Sequence, residues 1–141
     1  MPHLRLVHSA VLVPLLLGAC TEKPPPIPPK APNTELIIGK FARRPPVGTT
    51  AAWFRADGSV TLASKVDEID SKPIAEGSWK LDGDQLELTY NKGEMCDAGV
   101  TGTYKVVISK IGIRFTKVDD ACERRSKIDG ETWYRQQLPK Q

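Results

Sequence analysis

The chain has 141 residues, with 20 basic and 17 acidic side chains and a formal net charge of +3. That length suits one domain. So slight a basic excess, scattered rather than striped, argues against nucleic acid as a partner. The pairs Arg43-Arg44 and Arg124-Arg125 come closest to a basic cluster, and each reads as a solvated surface pair.

Residues 1–19 read as an export signal. Arg5 gives a positive flank, and Leu12, Val13, Leu15, Leu16 and Leu17 form an apolar run around Pro14. The run is too short to remain as a membrane-spanning helix. It ends in Leu17-Gly18-Ala19-Cys20, which resembles the lipobox of bacterial lipoproteins. There, small residues let a peptidase hold the backbone closely, and the cysteine thiolate takes the lipid. The resemblance implies cleavage before Cys20, lipidation of Cys20 and a membrane as partner. Thr21 follows the cysteine where an Asp would signal inner-membrane retention, so the expected location is the cell envelope, at the outer membrane and facing the periplasm. The alternative is an ordinary secretory signal cut after Ala19. Losing residues 1–19 removes one arginine, both histidines and no acidic residue, which leaves a net charge of +2.

Prolines at 24, 25, 26, 28, 29 and 32 crowd the next stretch, 21–34. Such a run favours extended polyproline II and forbids a helix or a sheet interior. Residues 20–35 therefore read as a stiff spacer of about 40 Å.

From residue 36 to 136 the pattern has period two. Leu86, Leu88 and Tyr90 alternate with polar neighbours, as do Tyr104, Val106 and Ile108, and then Ile111, Ile113 and Phe115. Half-buried strands are expected at 36–43, 50–56, 59–65, 76–81, 85–90, 101–108, 111–118 and 131–136. A short helix is expected only at 121–128, and 137–141 reads as a tail. Gly77-Ser78-Trp79-Lys80-Leu81 is echoed by Gly102-Thr103-Tyr104-Lys105-Val106. A glycine followed two residues later by an aromatic suits a barrel strand, because the glycine allows a bend and the aromatic fills the base. Tight turns should join the second strand to the third, the fourth to the fifth and the sixth to the seventh. The long connections, 44–49, 66–75, 91–100 and 119–130, then share the other end of an up-and-down meander. The expected fold is all-β: an eight-stranded antiparallel barrel.

Of the three cysteines, Cys96 and Cys122 fall in two of those long loops. An even pair in an exported protein, at one end of the barrel, reads as a disulfide. Once residues 1–19 are gone no histidine remains, which removes the usual nucleophile–base pairs and imidazole metal ligands. The acidic runs Asp67-Glu68-Ile69-Asp70 and Asp119-Asp120 match no calcium-loop spacing. The expectation is a protein that is not an enzyme and needs no cofactor or metal. Trp53, Trp79 and Trp133 are open to two readings, as the lining of a ligand cup or as core.

The stretch from Cys96 through Gly102-Thr103-Tyr104 to Asp120-Ala121-Cys122-Glu123-Arg124-Arg125 resembles lipocalin-like, or calycin, barrels of the bacterial envelope. The resemblance implies a barrel with a cup at its loop end. Its candidate lining is Trp53, Trp79, Tyr104, Arg125 and Trp133, and its candidate ligand is small, partly apolar or anionic. Asp120 is placed to cap the short helix, with Arg125 reaching inward over the mouth to pair with Asp120, stack on a tryptophan or meet an anionic head group. Two other readings stand beside this one. One is a protein-binding barrel, like periplasmic inhibitors of lysozymes or proteases, with the loops 66–75 and 119–130 presented to an envelope protein. The other is a structural envelope lipoprotein with no ligand. Side chains near the rim separate them, since a cup needs small ones there and a filled barrel needs large ones throughout.

Overall fold

A computed structural model describes residues 22–44 and 50–136. The expected signal peptide, Cys20, most of the first long loop and the C-terminal tail lie outside the described residues.

Eight antiparallel strands close on themselves in sequence order: β1 (Gly39–Ala42), β2 (Ala51–Phe54), β3 (Ser59–Ala63), β4 (Pro73–Asp82), β5 (Gln85–Gly93), β6 (Thr101–Ile108), β7 (Gly112–Asp119) and β8 (Thr132–Arg135). This is the expected meander, compatible with a lipocalin-like fold. Closure rests on two residue pairs, Phe41 with Arg135 and Ala42 with Tyr134. The period-two pattern is what fills the barrel. Leu86 faces Tyr104 across β5 and β6, Val106 faces Phe115, and Ile113 faces both Ile108 and Trp133. All seven are buried, and most of the mid-barrel rings meet edge to face, with Phe115 5.7 Å from Trp133 and 6.3 Å from Tyr104.

Three regions differ from the sequence expectation. Residues Asn33–Leu36 form a helical turn, α1, rather than spacer and strand. The Asn33 amide donates to the Gly83 carbonyl at 2.9 Å, in the β4–β5 turn, and Ile37 is fully buried. The chain thus plugs the tight-turn end before β1 begins, and Leu36-Ile37 supplies apolar surface to the plug instead of to a strand. The loops 66–75 and 91–100 are shorter than expected because β4 and β5 run past each other to Pro73 and Gly93. A register shift between Glu76 and Gly77 permits this. The helix expected at 121–128 is one turn, α2 (Glu123–Ser126), and its N-cap position is Cys122 rather than Asp120.

A second, smaller apolar cluster lies on the outside of the wall. Ala51, Ala63 and Ile69 are buried there under a 3-10 turn, Val66–Glu68, with Trp53 and Val66 packed against them. Both faces of β2 are therefore apolar. Arg135 ties the plugged end together, donating to the carbonyls of Leu36, Ile38 (3.0 Å) and Ser109 (3.3 Å).

Candidate functional site

At the loop end, small residues line the inner wall. Ala52 and Ala75 flank Leu62 across three strands, and Gly102 faces Leu88. Nearer the plug the interior is filled by Leu86, Tyr104, Val106, Ile108 and Ile113, all at most 2% exposed. What remains is a cavity of about 80 Å³ under α2. Its lining is largely apolar, with Leu62, Leu88, Phe115 and Trp133 among it, and also includes Arg43, Arg124, Arg125 and Lys127.

Cys96 and Cys122 are joined as expected, with 5.5 Å between their Cα atoms. The bridge places α2 over the mouth, and α2 carries Arg125 inward. Its guanidinium, 1% exposed, makes a two-pronged pair with Asp120, from Nε to Oδ2 at 2.6 Å and from Nη2 to Oδ1 at 2.8 Å. Nη2 also donates to the Val100 carbonyl at 3.0 Å, and the guanidinium carbon lies 5.1 Å from the Tyr90 ring centre. Asp120 receives two more donors, the Tyr104 hydroxyl and the Cys122 backbone N–H at 2.9 Å. So Asp120 accepts a backbone N–H, as anticipated, but it closes a local turn before α2 rather than capping the helix. Arg125 pairs with Asp120 and stacks on neither tryptophan.

Gly102 is what makes room for this pair. A Cβ there would lie 2.9 Å from Arg125 Nε and closer still to the Asp120 carboxylate. The echoed glycine, Gly77, is required for a different reason, because a Cβ would collide with the backbone of Thr89 and Tyr90 at the β4–β5 register shift. The repeated Gly-x-aromatic thus serves two local needs.

Burial disfavours charge on both Asp120 and Arg125, and the hydrogen bonds between them outweigh it. The Asp120 carboxyl is held below the usual carboxylate range by Arg125, Tyr104 and the Cys122 N–H. The Arg125 guanidinium is held above its usual value by Asp120. Burial first, and then the bond to Asp120, pushes the Tyr104 phenol up, so it stays a donor. One atom of the network is left over: Arg125 Nη1 is buried and has no hydrogen-bond partner among the described residues. A buried donor left in this state costs about 1–3 kcal/mol.

A second network borders the cavity, and its ion pair had no local signal in the sequence, since Arg43 and Glu131 lie 88 residues apart. Arg43 Nη2 pairs with Glu131 Oε1, and the other carboxylate oxygen accepts the Trp133 indole N–H at 3.0 Å. Arg43 Nε is likewise buried without a partner among the described residues.

Of the five lining residues expected from sequence, Arg125 and Trp133 are on the cavity wall. Tyr104 lies in the interior and reaches the site through Asp120. Trp79 points inward nearer the plugged end, where its indole N–H donates to the Arg55 carbonyl at 3.1 Å and its ring meets Phe54. Trp53 is a correction. It faces outward, with Lys40 Nζ 4.4 Å and the Arg55 guanidinium 3.8 Å from its ring centre. Its neighbours Ala52 and Phe54 take the inner face instead. Asp67 and Glu68 sit on the outer 3-10 turn, away from the cavity. Comparison with family models, with curated proteins and with solved structures returned no match to this chain.

Proposed function

We propose that this chain is an exported lipoprotein whose barrel binds a small, partly apolar or anionic molecule at its loop end. The observation that carries the binding reading is a loop-end cavity whose wall includes a buried guanidinium with one nitrogen, Nη1, unpartnered among the described residues. The small residues at the rim agree with a shallow cup. A site under one turn of helix, backed by a filled base, suits a ligand smaller than the barrel itself.

The plug supports an orientation for the tether. The proline-rich segment joins the barrel through α1, at the end opposite the cavity. Lipid on Cys20 would hold that end toward the membrane and leave the cavity facing the aqueous compartment. A ligand arriving from solution fits this arrangement better than a lipid drawn from the anchoring leaflet. The inhibitor reading gains less, because Asp120 and Arg125 of the 119–130 loop are spent on each other inside the barrel and present nothing to a partner's cleft.

Two results are expected. Replacing Cys20 by Ala should abolish palmitate labelling in cells and leave an uncut precursor, whereas continued labelling would remove the tether from this account. Against a panel of small acids, amides and alcohols at millimolar concentration, the wild-type mature chain should melt a few degrees higher with at least one compound. A melting temperature indifferent to the whole panel would favour the structural reading.

A further inference from the structure

We infer that the ligand is a short-chain carboxylate, its head group taken by Arg125 Nη1 and its stem by the apolar wall of Leu88, Phe115 and Trp133. This rests on the binding reading above and narrows it to one chemistry.

The donor count comes first. A guanidinium has five N–H groups in a rigid plane. Nε and one N–H of Nη2 are taken by Asp120 and the other N–H of Nη2 by the Val100 carbonyl, which leaves the two N–H groups of Nη1. Arg125 is 1% exposed and lies on the cavity wall, and Nη1 has no partner among the described residues. Arg43 Nε carries a third N–H in the same state, and Arg43 borders the same cavity. Two donor nitrogens from residues that border one cavity suit the two oxygens of a carboxylate.

Charge decides between an anion and a neutral acceptor. Arg125 is balanced by Asp120 and Arg43 by Glu131, while Arg124 and Lys127 form no ion pair among the described residues. The wall is therefore left with a positive surplus, and a carboxylate gains from it where an amide does not.

Size and polarity decide the rest. About 80 Å³ is roughly half of an apolar cavity that accommodates benzene. That space holds a few heavy atoms and no long acyl chain. A phosphate would carry more oxygens than the two free donor nitrogens serve, and would press the remainder against apolar lining such as Leu62, Leu88 and Phe115.

The test is calorimetric titration of the full mature chain with four probes: propanoate, propanamide, octanoate and inorganic phosphate. Propanoate should bind one per chain, with the other three at least tenfold weaker. Propanamide or octanoate binding as well as propanoate would overturn the inference and leave the binding reading standing, as would phosphate binding more tightly. No heat with any probe overturns the inference, and an indifferent melting panel would then take the binding reading with it. Arg125→Lys keeps a cation beside Asp120 and removes Nη1, so propanoate affinity should fall at least tenfold. Should that variant not fold, Ala52→Leu narrows the cavity without touching the ion pair and should produce the same loss. Unchanged propanoate affinity in the folded Ala52→Leu variant would place the acid elsewhere and overturn the assignment.

Discussion

Asp120→Ala should destabilise the folded domain by about 3–5 kcal/mol, the range for removing one partner of a buried charged pair. The loss comes from what stays behind. Arg125 would remain inside the barrel with one carbonyl partner, and the Tyr104 hydroxyl would lose its acceptor. The same pair sets an acid limit. Because the folded-state pKa of Asp120 is depressed, its stabilisation is fully present above the unfolded value, near 3.8, and is lost as pH falls through the lower folded value. Urea unfolding between pH 7 and pH 2 should show stability declining below about pH 4. In Asp120→Asn this decline should be weaker, and the variant should already be destabilised at pH 7. Equal slopes for the two proteins would mean that Asp120 is not charged and paired in the folded state.

The disulfide ranks second. Closing a separation of 26 residues, it should contribute about 3 kcal/mol on the chain-entropy account. Replacing both Cys96 and Cys122 by Ser should lower the unfolding midpoint in urea accordingly. Thiol titration of the unreduced, denatured mature chain should find neither residue reactive, and two reactive thiols would refute the bridge. Cys122 is the N-cap residue of α2 and sits three residues before Arg125. The serine pair combined with Asp120→Asn should therefore cost something other than the sum of the separate losses, as expected for neighbours that hold one side chain in place. Simple additivity would separate the bridge from the ion pair.

The barrel was legible because strand periodicity and connection length are carried by local sequence. β6 spans the same residues, 101–108, as its alternating stretch in the sequence, and the alternating Leu86, Leu88 and Tyr90 are all in the core. The pairing of Cys96 with Cys122 followed from the placement of the long loops. What local pattern does not carry is which of two apolar faces looks inward. On β2 both alternating sets are apolar, and only the distant Val66–Ile69 segment, packed outside, explains why Trp53 is not in the barrel. Likewise Leu36-Ile37 reads as the start of a strand until the β4–β5 turn is seen to receive α1.

The candidate site was half legible. Asp120 and Arg125 stood out beside Cys122, but the role of Gly102 depends on their side chains folding over it from the end of the neighbouring strand, which no spacing in the sequence records. The two cues in hand were an inward-facing glycine two residues before Tyr104 and a carboxylate in the loop beyond the next strand. Trp133 was expected at the site, but its partner Glu131 and the Arg43–Glu131 pair gave no cue, because only closure of β1 onto β8 brings Arg43 and Glu131 together.

The central claim is that Arg125 divides its guanidinium between a structural partner and the cavity. Nitrogen-15 spectra of the arginine side chains test it most directly. Without ligand, Arg125 should give separate Nη signals with hindered rotation, the mark of a buried two-pronged pair. Adding propanoate should shift Nη1 strongly and leave the Nε bonded to Asp120 nearly unmoved. A freely rotating guanidinium, or an Nη1 signal unmoved at saturating propanoate, would contradict it.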